Sequence, residues 1–402
     1  MNDIWVAEAL RTPRGRGNDR GALKDIKPAH LLGQVLKCLQ ERCGLDTALV
    51  NDAIFGCVTQ TAEQGGNIGK LGLVAAGWSD AVSGLTINRY CASGLSAVAI
   101  AALQAQQYDG LAIGGGVEMM SRVAMASDKG PLTHDGDFQR ATGLIPIGIA
   151  ADAIATQHGF TRHDCDAYAV SSQERALRAI AAGELRSVVA VDGSHGIALA
   201  QDETPRPGTT AQKLASMPAA FAEWGLREGA NGYDALLERD YNIDRIDHVH
   251  HAGNSPAMAD GAAAVLVGTS AALQRQGLER RARILAVADV GVDRTLALTG
   301  SVDAARLAIQ RAGLAVADID LFEVNESFAA LMLHFEKEMG IAHDRLNVNG
   351  GAIALGHPMG ATGAMLLGTL IDALMLRDAR YGCVAICGAV GVASAMVIER
   401  VG

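Results

Sequence analysis

Four side chains in this sequence have the residue types and surroundings for nucleophilic and acid–base chemistry. The first is Cys91, in "NRYCASGLSA", between a polar run and a small-residue run that starts like a helix. A helix N-terminus carries free N–H groups and roughly half a positive charge, which favours a thiolate. Cys91 is therefore either a nucleophile or an ordinary small buried residue. The second is His357, in "NGGAIALGHPMGATG", followed by a proline suited to the first helical position. An imidazole there could act as a general base or donate into an oxyanion hole. The third is Asn325, in "FEVNESFAA", at an expected strand-to-helix junction. It reads as a helix N-cap or as an amide that fixes a water. The fourth is Cys387, at the C-terminal end of the expected strand "CVAI", where ligand chemistry gathers in open α/β sheets.

Other motifs do not hold. "GGNIGKL" has Gln64 where a phosphate-binding loop needs glycine, and no Ser or Thr follows Lys70. "GGGVEM" lacks the third spaced glycine of a dinucleotide site. "HVHH", residues 248–251, suggests a metal only superficially; its alternation predicts a strand.

The elements that must position these groups are legible because the chain resembles itself. "YDGLAIGGGVE" from Tyr108 and "YGCVAICGAVG" from Tyr381 align without gaps. Ala112 meets Ala385, Ile113 meets Ile386, Gly115 meets Gly388 and Val117 meets Val390. Each follows an Ala- and Leu-rich helical stretch, and each of those follows a turn, "CASG" or "HPMG". Upstream, "LGQVLKCLQERCGL" then "VNDAIFGCV" echoes "AARLAIQRAGL" then "DIDLFEVN": amphipathic helix, Gly-Leu stop, short apolar strand. The pattern predicts two α/β halves, residues 1–120 plus 245–268 and residues 269–402, with an insertion at 121–244.

The composition agrees. In 402 residues, 49% are hydrophobic and 19% charged, as in a well-cored globular protein. Forty-seven glycines and 4% aromatics suit tight turns and close-packed elements. A net charge of −10 argues against a nucleic-acid partner, and no apolar run reads as a membrane span or signal peptide. Seven scattered cysteines without a CxxC pair point away from disulfides and zinc and towards the cytoplasm.

These residues together resemble the thiolases over nearly the full length. The matching pieces are "NRYCASGLSA", "GGGVEMMS", "RPGTTAQKLASMPAAF", "HHAGNSPAMADGAAAVL", "NESFAA", "NGGAIALGHPMGATG" and "CGAVGVASAMVIE". The Gly-His-Pro run is the most specific. The resemblance implies a duplicated five-layered αβαβα fold with a loop domain inserted in the first half. It implies thiolysis or Claisen condensation on coenzyme A thioesters, with no permanently bound cofactor or metal, in a homodimer or homotetramer. By position, Cys91 matches the acylated nucleophile, and His357 the base that activates it. Asn325 matches the residue that holds a water, and Cys387 the acid/base at the substrate α-carbon. The amide of Cys91 and one after Cys387, from Gly388 or Ala389, match an oxyanion hole. Arg206, Lys213, Arg227 and Ser255 lie in or near segments that resemble the coenzyme A region.

Three departures bear on substrate. "CGAVGVA" is shorter than the usual terminal loop. Pro256 stands where many members have a serine that contacts the pantetheine arm, with Ser255 beside it. Pro146 and Ile147 replace the His-Met typical of biosynthetic members. Pro146 and Ile147, with the longer "GYDALLERDYNIDRID" segment, favour a degradative 3-ketoacyl-CoA thiolase. The alternatives are an acetyl-CoA acetyltransferase forming acetoacetyl-CoA and a non-catalytic acyl-CoA-binding protein.

Overall fold

A computed structural model describes residues 3–227, 229 and 232–401. Among the described residues the main sheet has ten strands, a two-residue one and nine longer: β1 (Ile4–Arg11), β2 (Val50–Gly56), β3 (Leu85–Ile87), β4 (Leu111–Met119), β5 (Ala259–Thr269), β6 (Ala282–Gly291), β7 (Leu321–Val324), β8 (Tyr381–Cys387) and β9 (Val392–Arg400). Four helices complete its layers: α1 (Pro28–Cys43), α2 (Ser93–Tyr108), α3 (Gly300–Arg311) and α4 (Met359–Leu376).

The strand order is β7-β8-β9-β6-β1-β5-β4-β2-β3, with the two-residue strand Gly15–Arg16 beside β5. Read outward from its centre, the order is a palindrome of the two halves. β1 answers β6, β5 answers β9, β4 answers β8 and β2 answers β7. The parallel and antiparallel senses match as well. β2 pairs parallel with β4 as β7 does with β8, and β4–β5 is antiparallel like β8–β9. The halves join where β1 runs antiparallel to β6, Ile4 opposite Ile284. Two half-sheets thus form one continuous hydrogen-bonded sheet.

Helix character follows sequence period. α1 buries Leu31, Leu32, Val35, Leu36 and Leu39, a one-sided stripe, and it covers the outer face of the first half-sheet. α3 covers the outer face of the second. α4 is apolar all round because it is enclosed all round; it packs on α2 and on strands of both halves. It is the one helix among the described residues long and apolar enough to cross a membrane, and 89% of it is buried in the core. Its Leu366, Leu367, Leu370, Ile371 and Leu374 each contribute about 1.5–3 kcal/mol by burial. The result is the expected five layers, outer helix, sheet, α2 with α4, sheet, outer helix.

Strand alternation sorts the core in two. On β8, Val384 and Ile386 face the central helices, while Cys383, Ala385 and Cys387 face the outer layer. The repeat then diverges at the C-terminal ends of these strands. β4 continues through Gly114 to Met119, but β8 stops at Cys387, opposite Gly114 in the alignment.

Between β4 and β5 lie the helices Ile147–His158 and Arg162–Ala181, a small hairpin (Val191–Gly193 with Gly196–Leu199) and several shorter helices. The strand expected at "HVHH" is not formed: residues 245–250 pair with no strand among the described residues. The reason is Asp152, on helix Ile147–His158. Its carboxylate takes the amides of Val249 and His250 and the Nδ1 atoms of His248 and His250, and so replaces a strand ladder. His248 Nε2 meets Asp234, and His251 Nε2 meets Asp166, so these imidazoles fasten the segment to neighbouring helices.

Candidate active site

Cys91 and His357 occupy equivalent places in the two halves. Each lies two residues before its central helix, α2 at Ser93 or α4 at Met359. The two helix starts touch backbone to backbone. A Cβ on Gly94 would lie 2.8 Å from the carbonyl oxygen of Gly360, and one on Gly363 would lie 2.3 Å from the amide of Leu95. Only glycine permits this approach, and the approach sets the Cys91 turn beside the helix that follows His357.

The turn that presents Cys91 is strained and held. Tyr90 has φ 48°, a left-handed conformation that costs a non-glycine residue about 1–3 kcal/mol. Asn88 Oδ1 accepts the Tyr90 amide at 2.8 Å. Ser93 Oγ accepts the Arg89 amide at 2.8 Å and donates to the Tyr90 carbonyl. The Arg89 guanidinium reaches Ser96 Oγ at 2.8 Å and Asp289 at 2.6 Å, and Asp289 also binds Ser394. Because Asp289 is on β6 and Ser394 on β9, the Cys91 turn is tied to the opposite half.

The thiol is not the ready thiolate that its helix position suggests. Burial pushes Cys91 up to about 12, with the nearby Cys387 and Glu118 adding to the rise. Desolvation outweighs the helix terminus here, because no side chain among the described residues donates to the sulfur. The end of β8 packs against the Cys91 turn through backbone: a Cβ on Gly388 would lie 3.3 Å from the Arg89 carbonyl oxygen. The loop after Cys387 also abuts the turn before Cys91: a Cβ on Gly388 would lie 3.2 Å from Tyr90 Cβ.

His357 is buried and neutral. Burial, then the nearby Arg14 charge, lowers it to about 3. Its tautomer follows from its neighbour. Thr362 Oγ1 lies 2.9 Å from the Pro358 carbonyl and 2.7 Å from His357 Nδ1, and having one proton it satisfies both contacts when it donates to the carbonyl and accepts the Nδ1 proton. Nε2 then carries a lone pair, and it has no hydrogen-bond partner. Arg14, itself fully buried, holds the preceding Gly356 carbonyl with Nη1 at 3.1 Å.

Asn325 is not a helix N-cap: β7 ends at Val324, and the next helix starts only at Ala329. Its amide nitrogen donates to Ser327 Oγ at 2.9 Å, and Oδ1 is left without a partner. Ser327 Oγ in turn lies 3.2 Å from Cys387 Sγ. Cys387 is buried and held up at about 11 by desolvation, against the lowering contact with Ser327. Glu118, at the end of "GGGVE", accepts the amides of Val58, Thr59 and Gly360, and so pins the start of α4 to β2 and β4.

Gly388 does not offer a free amide. Its N–H donates to the Val392 carbonyl at 2.7 Å in the tight β8–β9 turn. Of the coenzyme A candidates, Ser255 is half-buried with a covered, unpaired hydroxyl, two residues from the carbonyl of Ala257 that takes the His357 amide. Arg206 is exposed, with its amide on Gln173 and its guanidinium turned to the Ala252 carbonyl at 3.5 Å. Lys213 is exposed and binds Gly208. Arg227 stacks over Trp224, 5.7 Å from the ring centre, and no contact draws it to the sulfurs. Sequence reasoning missed Thr362, Ser327, Arg14 and Glu118. Thr362, Ser327 and Glu118 lay inside motifs already singled out, five residues after His357, two after Asn325 and two after the last glycine of "GGGVE".

The thiolase N-terminal domain family matches residues 4–231, and the thiolase C-terminal domain family matches residues 278–400. A 3-ketoacyl-CoA thiolase of Erwinia tasmaniensis is 35% identical, with both chains covered in full. Proteins of the same name from Citrobacter koseri and Cronobacter sakazakii are 34% and 35% identical over the same extent.

Proposed function

The chain belongs to the thiolase family, and from that premise we propose that it is a degradative 3-ketoacyl-CoA thiolase. It cleaves a 3-ketoacyl-CoA with coenzyme A into acetyl-CoA and an acyl-CoA shorter by two carbons. The observation that carries the site assignment is the placement of Cys91 and His357 before two touching helix starts, with the loop after Cys387 packed against the turn that presents Cys91.

The chemistry follows from the protonation states. Cys91 starts as a thiol and His357 as a neutral imidazole with a bare Nε2. Nε2 takes the thiol proton as sulfur attacks the 3-keto carbon. The oxyanion is met by the Cys91 amide and a second one; with Gly388 engaged by Val392, that second donor is Ala389. The C2–C3 bond breaks, leaving acyl-Cys91 and an acetyl-CoA enolate. His357, now carrying the proton on Nε2, and a water held by Asn325 stabilise the enolate oxygen. Cys387 gives its proton to C2 and becomes a thiolate. It then takes the proton of the incoming coenzyme A thiol, whose sulfur attacks acyl-Cys91. The released Cys91 sulfur recovers its proton from His357, and the site is restored.

Ser255 and Arg206 border the route that the pantetheine arm and nucleotide would take, and a homodimer or homotetramer is the expected assembly. The test is thiolysis of a 3-ketoacyl-CoA series from acetoacetyl-CoA upward. Cleavage that improves with chain length supports the degradative reading; cleavage of acetoacetyl-CoA alone refutes it. Cys91→Ser must abolish acyl transfer. Cys387→Ala must block carbon–carbon chemistry yet leave Cys91 acylation measurable.

A further inference from the structure

Ser327 is buried between β7 and the helix Ala329–Met339, where a serine would ordinarily cap the helix. It does not: Phe328 is the cap residue and no side chain caps the helix. Its hydroxyl faces two groups of the site instead, the Asn325 amide at 2.9 Å and the Cys387 sulfur at 3.2 Å. The amide can only donate, so it occupies one lone pair of Oγ. Left over are the other lone pair and the hydroxyl proton, both available to the sulfur.

We infer that Ser327 is a positioning residue for Cys387, a relay partner that accepts the S–H bond of the thiol and donates O–H to the thiolate without moving. The inference rests on the acid/base role given to Cys387 above. Ser327 keeps its own proton throughout; only the direction of one hydrogen bond reverses as Cys387 loses and regains a proton. The Asn325 amide polarises the hydroxyl towards the sulfur, which strengthens the bond to a thiolate. Asn325 is thereby linked to both halves of the reaction, through its orphaned Oδ1 on one side and through Ser327 on the other.

The experiment uses Ser327→Ala, which removes the hydroxyl and adds no bulk, and Ser327→Cys, which keeps the volume but donates weakly. In a Cys91→Ala background, alkylation of Cys387 by iodoacetamide is followed by peptide mass mapping at pH 9. The expected result is a rate about ten-fold lower in both variants, a loss typical of a hydrogen bond to a charged group. Ser327→Thr should restore it. With Cys91 intact, kcat for thiolysis should fall about ten-fold at unchanged KM, while acylation of Cys91 by acetyl-CoA proceeds at the parent rate. Unchanged Cys387 alkylation with unchanged kcat would overturn the inference. Cys387→Ala separates the two levels. If it still cleaves the carbon–carbon bond, the role of Cys387 is wrong; if it is inactive while the Ser327 variants match the parent, only the role of Ser327 is wrong.

Discussion

Replacing Thr362 with Val isolates the tautomer argument. The two side chains have nearly the same shape, so packing on α4 is kept while one acceptor is lost. In the parent, Thr362 Oγ1 accepts the Nδ1 proton of His357 at 2.7 Å. In the variant that N–H is buried without a partner, which costs about 1–3 kcal/mol. The Pro358 carbonyl is not orphaned, because the amides of Ala361 and Thr362 still donate to it. When Nε2 takes the Cys91 proton, the ring becomes a cation, and the lost bond would have been charge-assisted and stronger. The deficit is therefore larger in the transition state than in the resting protein. At 1.4 kcal/mol per decade, acylation should slow by about 10–100-fold. Quenched-flow measurement of acetyl-Cys91 by intact-mass spectrometry reads this directly, and Thr362→Ser should recover most of the rate. A variant that acylates within two-fold of the parent while melting at a lower temperature would refute the argument and leave Thr362 a packing residue.

Other outcomes follow from the same geometry. Since burial holds Cys91 at about 12, its alkylation by iodoacetamide should rise about ten-fold per pH unit from pH 7 to 10; a plateau below pH 8 would mean a preformed thiolate. Gly360→Ala would place a Cβ 2.7 Å from Cys57 Cα and 2.9 Å from Glu118 Oε2, displacing the start of α4 and with it His357. The expected cost is about 1–3 kcal/mol of stability and up to about 100-fold in kcat/KM, and full activity would contradict it. His334, buried against His158, is lowered to about 4 by desolvation and then by His158. Its unfolded form binds a proton near pH 6.5 and its folded form does not, so this stability is lost as pH falls from 6.5 towards 4. At pH 5 the loss is about 2 kcal/mol. His334→Phe should therefore narrow the difference between urea unfolding at pH 8 and at pH 5 by about that amount, and an unchanged difference would count against it.

The sequence by itself determined the two-fold plan, because the period of its apolar residues and a gapless echo are local properties. α1 and α3 carry one-sided stripes, α4 is apolar all round, and Tyr108 and Tyr381 open matching strands. It also determined which side chains to watch: Cys91, His357, Asn325 and Cys387 stand at element ends that the pattern locates. What failed locally failed for tertiary reasons. "HVHH" alternates like a strand, yet Asp152, about a hundred residues earlier, takes the hydrogen bonds that a neighbouring strand would have supplied. Gly388 looks free in sequence, yet the turn to β9 gives its amide to Val392. The protonation states were likewise decided only by the fold. A helix N-terminus argues for a thiolate at Cys91, but desolvation depends on everything packed around the sulfur, including Cys387 and Glu118 from other strands. The bare Nε2 of His357 depends on where Thr362 sends its single proton, and the orientation of Cys387 depends on a serine hydroxyl 60 residues away. Periodicity is written along the chain; burial and hydrogen-bond direction exist only once distant segments meet.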